Sequence, residues 1–343
     1  MKTLNETFFH IKDRITLIGR VWFEDGNLAL PWSASGAALR FSGNAISVTL
    51  MPYKNDDSDL FNVAMKLEVD GVAHKALVVE GGALTLFADG LGEGEHIARI
   101  YKIGESNEPI FLRDLSVLGE SPEVLEWHER HELKLEVVGD SITCGYGALG
   151  AGDTFVHHEE DATAAYGFLT GEALDAETRI ISWSGRGIVR AWDGRIAEKF
   201  CEFFTQRARL KKYGMHDFGE WQPDILVING GTNDGGSGKL QAGEFVEGVR
   251  ELYALAREKY PRAEIIFFYG AMGVPLAEDF ALVMDELLRR DAHLYYLPTE
   301  PIEGKPDEIG ANGHPSALAQ RRFAAELTDF IKKVVLPVRK QIG

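Results

Sequence analysis

Cysteine is scarce in this chain: Cys144 and Cys201 are the two among 343 residues. Two thiols cannot build a framework of several disulfides or a four-cysteine zinc site, so a pair of reduced thiols is expected. Basic residues are also few, with 36 Lys and Arg against 53 Asp and Glu and a formal charge of −17. Such a surface repels phosphate backbones and anionic lipid. That argues against nucleic-acid and membrane partners and for a small or neutral ligand. No stretch approaches the roughly 18 apolar residues of a membrane helix. The N-terminus has no long apolar run and no small-residue cleavage site, so a cytoplasmic location is expected. Internal repeats and low-complexity tracts are missing too, and nothing in the pattern predicts an oligomer.

What is present is ordinary for a globular protein: 45% hydrophobic and 26% charged residues, enough to bury sizeable cores without metal or disulfide staples. The length points to two domains. Residues 1–122 read as a β-sandwich, jelly-roll-like. Short alternating or β-branched segments, among them Ile15–Trp22, Ala45–Leu50, Val63–Val69, Ala73–Val79, Ala83–Phe87, His96–Ile103 and Phe111–Leu118, are separated by turns such as Asp70-Gly71. From 123 to 343 the pattern changes. Apolar strands at Leu133–Val138, Arg179–Ser182, Asp224–Ile228, Glu264–Phe268 and His293–Leu297 alternate with helical periods at 162–173, 243–258, 276–289 and 316–333. This predicts a three-layer α/β/α domain on a parallel sheet. Its ligand site belongs at the carboxyl ends of the strands.

The first of those strands runs into Gly139-Asp-Ser-Ile-Thr-Cys-Gly-Tyr-Gly147. A serine one tight turn past a strand can present its hydroxyl with a free N–H behind it, as an activated nucleophile requires. For a Gly-Asp-Ser standing alone a helix cap is the stronger reading, so other parts must be found. Trp183-Ser-Gly-Arg-Gly187 follows the second strand, Gly230-Gly-Thr-Asn-Asp234 the third, and Asn312-Gly-His-Pro315 precedes the last helix. A serine, a glycine N–H, an asparagine amide and a histidine make a full set for acyl transfer.

Gly139-Asp-Ser-Ile-Thr143, Gly185, Gly231-Thr-Asn-Asp234 and His314-Pro315 resemble, in order, the four blocks of the SGNH hydrolase superfamily. The extended first block, Ser184-Gly-Arg-Gly187 and the preceding sandwich are similar to carbohydrate esterase family 2, over nearly the whole chain. The resemblance implies a serine esterase that removes O-acetyl groups from xylo- or manno-type saccharides, acting on a small-molecule or oligosaccharide substrate without metal or cofactor. It also implies Ser141 as nucleophile, His314 as general base, and an oxyanion hole from the Ser141 and Gly185 N–H groups and the Asn233 amide. Asp140 and Asp234 are expected to brace loops. The superfamily commonly places an aspartate two or three residues before the histidine, where this chain has Asn312 and Ala311. A Ser141–His314 dyad is therefore expected, its ring held by a backbone carbonyl or by the Asn312 side chain, with Asp307 or Glu308 as substitutes. A lipase or thioesterase, or a carbohydrate-binding protein with a decayed hydrolase half, are the alternatives.

Other motifs fail on context. Gly145-Tyr-Gly-Ala-Leu-Gly150 matches a dinucleotide fingerprint but starts too far past its strand, and the next strand ends in Ser182-Trp183 instead of an acid. Lys239 in Gly235-Gly-Ser-Gly-Lys239 is followed by Leu240, not by the Ser or Thr of a phosphate loop. His128-Glu-Arg-His131 has the wrong spacing for zinc on one helical face. No Gly-x-Ser-x-Gly elbow occurs, which argues against the α/β-hydrolase fold. Among the aromatics, Trp183, Trp192 and Trp221 are candidates for stacking on sugar rings, although core packing is the commoner fate of tryptophan. Arg186, in the second block, is a further candidate for substrate contact.

Overall fold

The computed structural model describes residues 1–52, 63–79, 81–82 and 84–342, with side chains to Arg339. The chain divides into two units: Met1–Arg130 with Arg207–Tyr213, and His131–Gln206 with Gly214–Gly343.

In the first unit, one antiparallel sheet runs β3 (Trp22–Glu24), β4 (Asn27–Leu30), β11 (Ile110–Gly119), β6 (Ala45–Leu50) and β9 (Thr85–Ala88), with β1 (Lys2–Thr7) also on β11. The other runs β12 (Glu123–Leu125), β5 (Gly36–Gly43), β10 (Gly94–Lys102), β7 (Val63–Val69) and β8 (Val72–Val78), with β2 (Thr16–Ile18) on β5. Alternation along the strands sends one set of side chains inward: Ile46, Val48 and Leu50 are buried, whereas Ser47 and Thr49 are only partly so. Leu30, Val48 and Val117 from one sheet share a core with Phe41, Leu67 and Ile100 from the other, which makes a sandwich. Each such side chain contributes about 1.5–3 kcal/mol on burial. Ala83, where one strand was expected to begin, lies outside the described residues.

The first unit runs to Arg130, past the boundary drawn at residue 122 and within the 118–132 range that the sequence allows. Residues 123–125 pair with β5, so the sandwich keeps its chain until Arg130. The first unit also takes in a later segment. Trp32 Nε1 donates to the Arg207 carbonyl at 3.0 Å, and Ala208 packs with Trp22 and Ala29. Glu108 receives Lys212 Nζ at 2.6 Å and the Tyr213 hydroxyl, and Arg209 pairs with Glu105. The excursion is closed at its base by a bridge between Gln206 and Met215.

The second unit is a parallel five-stranded sheet in the order β14-β13-β15-β16-β17, where β13 is Leu133–Gly139, β14 Ala176–Ser182, β15 Ile225–Asn229, β16 Glu264–Tyr269 and β17 Leu294–Pro298. Its helices are α1 (Ser141–Cys144), α2 (Tyr166–Leu174), α3 (Phe200–Phe204), α4 (Thr232–Gly236), α5 (Glu244–Lys259), α6 (Ala277–Leu288), α7 (Ala317–Phe330) and α8 (Leu336–Ile342). Helix α2 packs on α7, while α5 packs on α3 and α6. Strands β15 and β16 are buried along their whole length, which is why they read as unbroken apolar runs. The chain leaves β13 toward β14 and returns across it to β15, a topological switch point. Gly139 pairs with Ser182 on one side and Asn229 on the other, so three strands end level and release three loops into one crevice. No described helix is long and apolar enough to cross a membrane.

Candidate active site

The loop after β13 frees the serine from capping. Asp140 is the N-cap of α1, its carboxylate accepting the Ile142 N–H at 3.0 Å. Ser141 therefore takes the first helical position, where a backbone N–H has no intrahelical acceptor. Its side chain is spared for another partner. Ser141 Oγ lies 2.9 Å from His314 Nε2, across 173 residues of chain.

On its other edge, His314 Nδ1 lies 3.0 Å from the Asn312 main-chain carbonyl. A carbonyl only accepts, so Nδ1 carries the proton and Nε2 is left to receive one from the serine. Asn312 reaches this position through a left-handed conformation, φ 51° and ψ 37°, which asparagine tolerates better than most residues. Its side chain points instead to the Tyr146 hydroxyl, 3.4 Å away. The orienting group is thus the backbone alternative. Glu308 is occupied by Arg322 at 2.6 and 2.8 Å, and Asp307 accepts the Ser316 hydroxyl through its carbonyl; neither stands in for the missing aspartate.

The histidine turn is fastened to the serine loop by main chain. Ala311 N donates to Gly147 O at 2.9 Å, Asn312 N to Gly152 O at 2.7 Å, and Ala317 N to Ala148 O at 2.8 Å. Gly147 has φ +66°, and a Cβ there would meet the Ala311 oxygen at 2.5 Å. No other residue fits.

Two buried acids tie the three loops together, Asp234 joining the third to the second and Asp140 the first to the third. Asp234 accepts the N–H groups of Ile188, Val189 and Arg190 at 2.7–2.8 Å, and so fixes the loop that carries Gly185. Burial raises its pKa against these three donors. Asn233 Nδ2 donates to Asp140 Oδ2 at 3.0 Å and to the Arg186 carbonyl at 2.9 Å, which sets the amide's orientation without ambiguity. Asp140 is fully buried, and that burial, with Asp234 nearby, pushes its carboxyl up to about 7. Gly185 has φ +76° and space for no Cβ, since Trp192 Cδ1 would be 2.7 Å away.

The aromatic candidates separate. Trp192 is 65% exposed and lies against Gly185, its main-chain N–H donating to the Gly185 carbonyl at 3.0 Å. Trp183 is buried, with the Arg186 guanidinium 4.4 Å over its ring and Phe203 behind it; it supports Arg186 and has no face left for a sugar. Arg186 itself pairs with Glu198. Trp221 is a correction. It precedes β15, is 6% exposed and is covered by Arg179 at 4.0 Å and Lys134 at 5.8 Å. That is the amino edge of the sheet, opposite Ser141. Sequence reasoning missed Tyr146, despite its place in the extended serine motif, and Phe155. The Tyr146 ring lies 4.5 Å from the His314 ring and stacks on Phe155 at 3.8 Å.

Residues 137–326 match the model of the GDSL-like lipase/acylhydrolase family, and residues 17–118 that of the carbohydrate esterase 2 N-terminal domain. The chain is 29% identical over 328 residues to a cellulase/esterase, CelE, of Acetivibrio thermocellus, covering 92% of this chain and 39% of that protein. It is 28% identical over 183 residues to an acetylxylan esterase/glucomannan deacetylase of Cellvibrio japonicus, covering 52% of this chain and 51% of that one. The chain thus spans about half or less of these curated relatives. A family two carbohydrate esterase from Clostridium thermocellum, solved in complex with cellohexaose, superimposes with a TM-score of 0.82 at 28% identity, over 94% of this chain and 99% of that one.

Proposed function

Because the chain belongs to the GDSL-like lipase/acylhydrolase family, in the branch with a carbohydrate esterase 2 N-terminal domain, we propose that it is a serine esterase removing O-acetyl groups from xylo- or manno-type oligosaccharides. The observation that carries this reading is the Ser141 Oγ–His314 Nε2 contact of 2.9 Å, with Nδ1 held on a carbonyl. Ser141 attacks the acetyl carbonyl carbon while Nε2 takes its proton. The oxyanion is met by the Ser141 and Gly185 N–H groups and by Asn233 Nδ2, whose resting partners are Asp140 and Arg186. Serving the oxyanion means sharing or releasing the neutral one, the Arg186 carbonyl. Collapse expels the sugar oxygen, which takes the proton from Nε2 and departs as the free hydroxyl, leaving acetyl-Ser141. Water, deprotonated by His314, then repeats the sequence and releases acetate. Trp192, exposed beside Gly185, offers an indole face on which the leaving sugar can stack.

The test is acetate release from acetylated xylo- and manno-oligosaccharides, alongside p-nitrophenyl esters of rising chain length, with wild type and Ser141→Ala. Sugar deacetylation that vanishes in Ser141→Ala, with little turnover of long acyl chains, is the expected result. Preference for long chains would move the protein to lipid or thioester substrates. No Ser141-dependent hydrolysis would leave a carbohydrate-binding protein.

A further inference from the structure

A serine–histidine pair works only while the imidazole keeps one tautomer and one plane, a role that a carboxylate fills in Ser-His-Asp sites. Here a single carbonyl receives Nδ1. That bond selects the tautomer, but a hydrogen bond along the Nδ1···O line does not by itself fix the plane of the ring, and a turned plane would carry Nε2 away from Ser141. Asn312 and Gly313, which bear the turn, are exposed, so core packing does not restrain them.

A second group touches both ends of this arrangement. The Tyr146 ring lies 4.5 Å from the imidazole centroid at an interplanar angle of 47°. Phe155 stacks on Tyr146 with ring centroids 3.8 Å apart and 15° from parallel, and so backs it. The Tyr146 hydroxyl accepts from Asn312 Nδ2 at 3.4 Å, on the residue whose carbonyl holds Nδ1. Tyr146 N donates to Ser141 O at 3.1 Å, which references the phenol to the serine's own turn. We propose that Tyr146, backed by Phe155, is the positioning residue that replaces the carboxylate. Its ring holds the imidazole plane, and its π face favours the imidazolium formed when Ser141 gives up its proton. The inference rests on the Ser141–His314 reading above. The titratable groups against the ring include the Ser141 hydroxyl and the Tyr146 phenol, with His157 edge-on to Phe155.

The experiment is steady-state hydrolysis of p-nitrophenyl acetate and an acetylated xylo-oligosaccharide from pH 4.5 to 9, in Tyr146→Leu, Tyr146→Phe and Phe155→Leu, with Ser141→Ala as baseline. Tyr146→Leu should lower kcat by about 10- to 100-fold with KM within about twofold. The acid limb of its kcat/KM profile should move down by about half a unit, because the imidazolium loses its π neighbour. Tyr146→Phe keeps the ring and should lose about twofold to fivefold with the limb in place. Phe155→Leu should show the Tyr146→Leu pattern in weaker form, which keeps the test open if Tyr146→Leu fails to fold. A raised KM with unchanged kcat would make Tyr146 a substrate wall and overturn the inference, as would a loss of kcat in folded protein with an unmoved acid limb. A wild type without Ser141-dependent turnover would overturn the underlying reading instead.

Discussion

Asn312 separates two ways of holding an imidazole. If its main-chain carbonyl does the work, as the 3.0 Å contact to Nδ1 indicates, the side chain matters only for the left-handed turn, φ 51°, and for the bond to Tyr146. Alanine in that conformation costs about 1–2 kcal/mol, asparagine less, so Asn312→Ala adds a strain of about 1 kcal/mol. The turn is also held by Asn312 N on Gly152 O and Ala311 N on Gly147 O, and part of the strain falls on stability instead of on the site's occupancy. The ceiling on the loss of kcat is therefore about 5- to 10-fold, at 1.36 kcal/mol per tenfold. Asn312→Gly, which meets no penalty at positive φ, should lie within about threefold of wild type. His314→Ala should lose about a thousandfold or more. Acetate release at saturating substrate measures all three. If Asn312→Ala and Asn312→Gly were both as inactive as His314→Ala, the side chain would be the essential third member and the carbonyl assignment would be wrong.

Three further outcomes are expected. Gly185→Ala should cut kcat by about 10- to 100-fold while the protein stays folded by circular dichroism, because the new Cβ meets Trp192 at 2.7 Å and would displace the N–H proposed as an oxyanion donor. Trp192→Ala should raise KM for oligosaccharides by about tenfold, leave p-nitrophenyl acetate turnover within about twofold and leave Tm unchanged, since the indole is mostly in solvent. Asp140 binds its proton more tightly in the native state, with a pKa raised by burial from 3.8 to about 7. Its contribution to stability is therefore fully present below about pH 4 and is lost as pH rises through 7. Tm measured from pH 4 to 8 should fall less over that window in Asp140→Asn than in wild type; a parallel course in the two proteins would contradict the raised pKa.

The parts of this molecule that were legible in the sequence are those written in side chains. Strands β15 and β16 are buried on both faces and read as apolar runs; Ser141, Gly185 and Asn233 follow strand ends and His314 precedes α7, where a doubly wound sheet gathers its loops. Strand β5, Gly36-Ala-Ala-Leu-Arg-Phe-Ser-Gly43, escaped because its small residues carry little β signal. They are there for space: a Cβ on Gly36 would meet the Ile100 oxygen at 1.9 Å. The orienting group of His314 escaped for a different reason. A main-chain carbonyl has no letter of its own, and its one trace is an asparagine suited to left-handed φ. Trp221 carried a usable warning, since it precedes its strand whereas the residues of the site follow theirs.

The loan of Arg207–Tyr213 to the first unit makes the order of synthesis differ from the order of completion. The sandwich leaves the ribosome first, yet its Glu108, only 7% exposed, gains Lys212 and Tyr213 after β13 and β14 have been made. At about 5–20 residues per second that interval is on the order of 10 s. Throughout it, Trp22 and Ala29 lack the apolar cover of Ala208. A gene cut after Arg130 would make the interval permanent, giving one fragment without its last strap and another carrying a strap with nothing to bind.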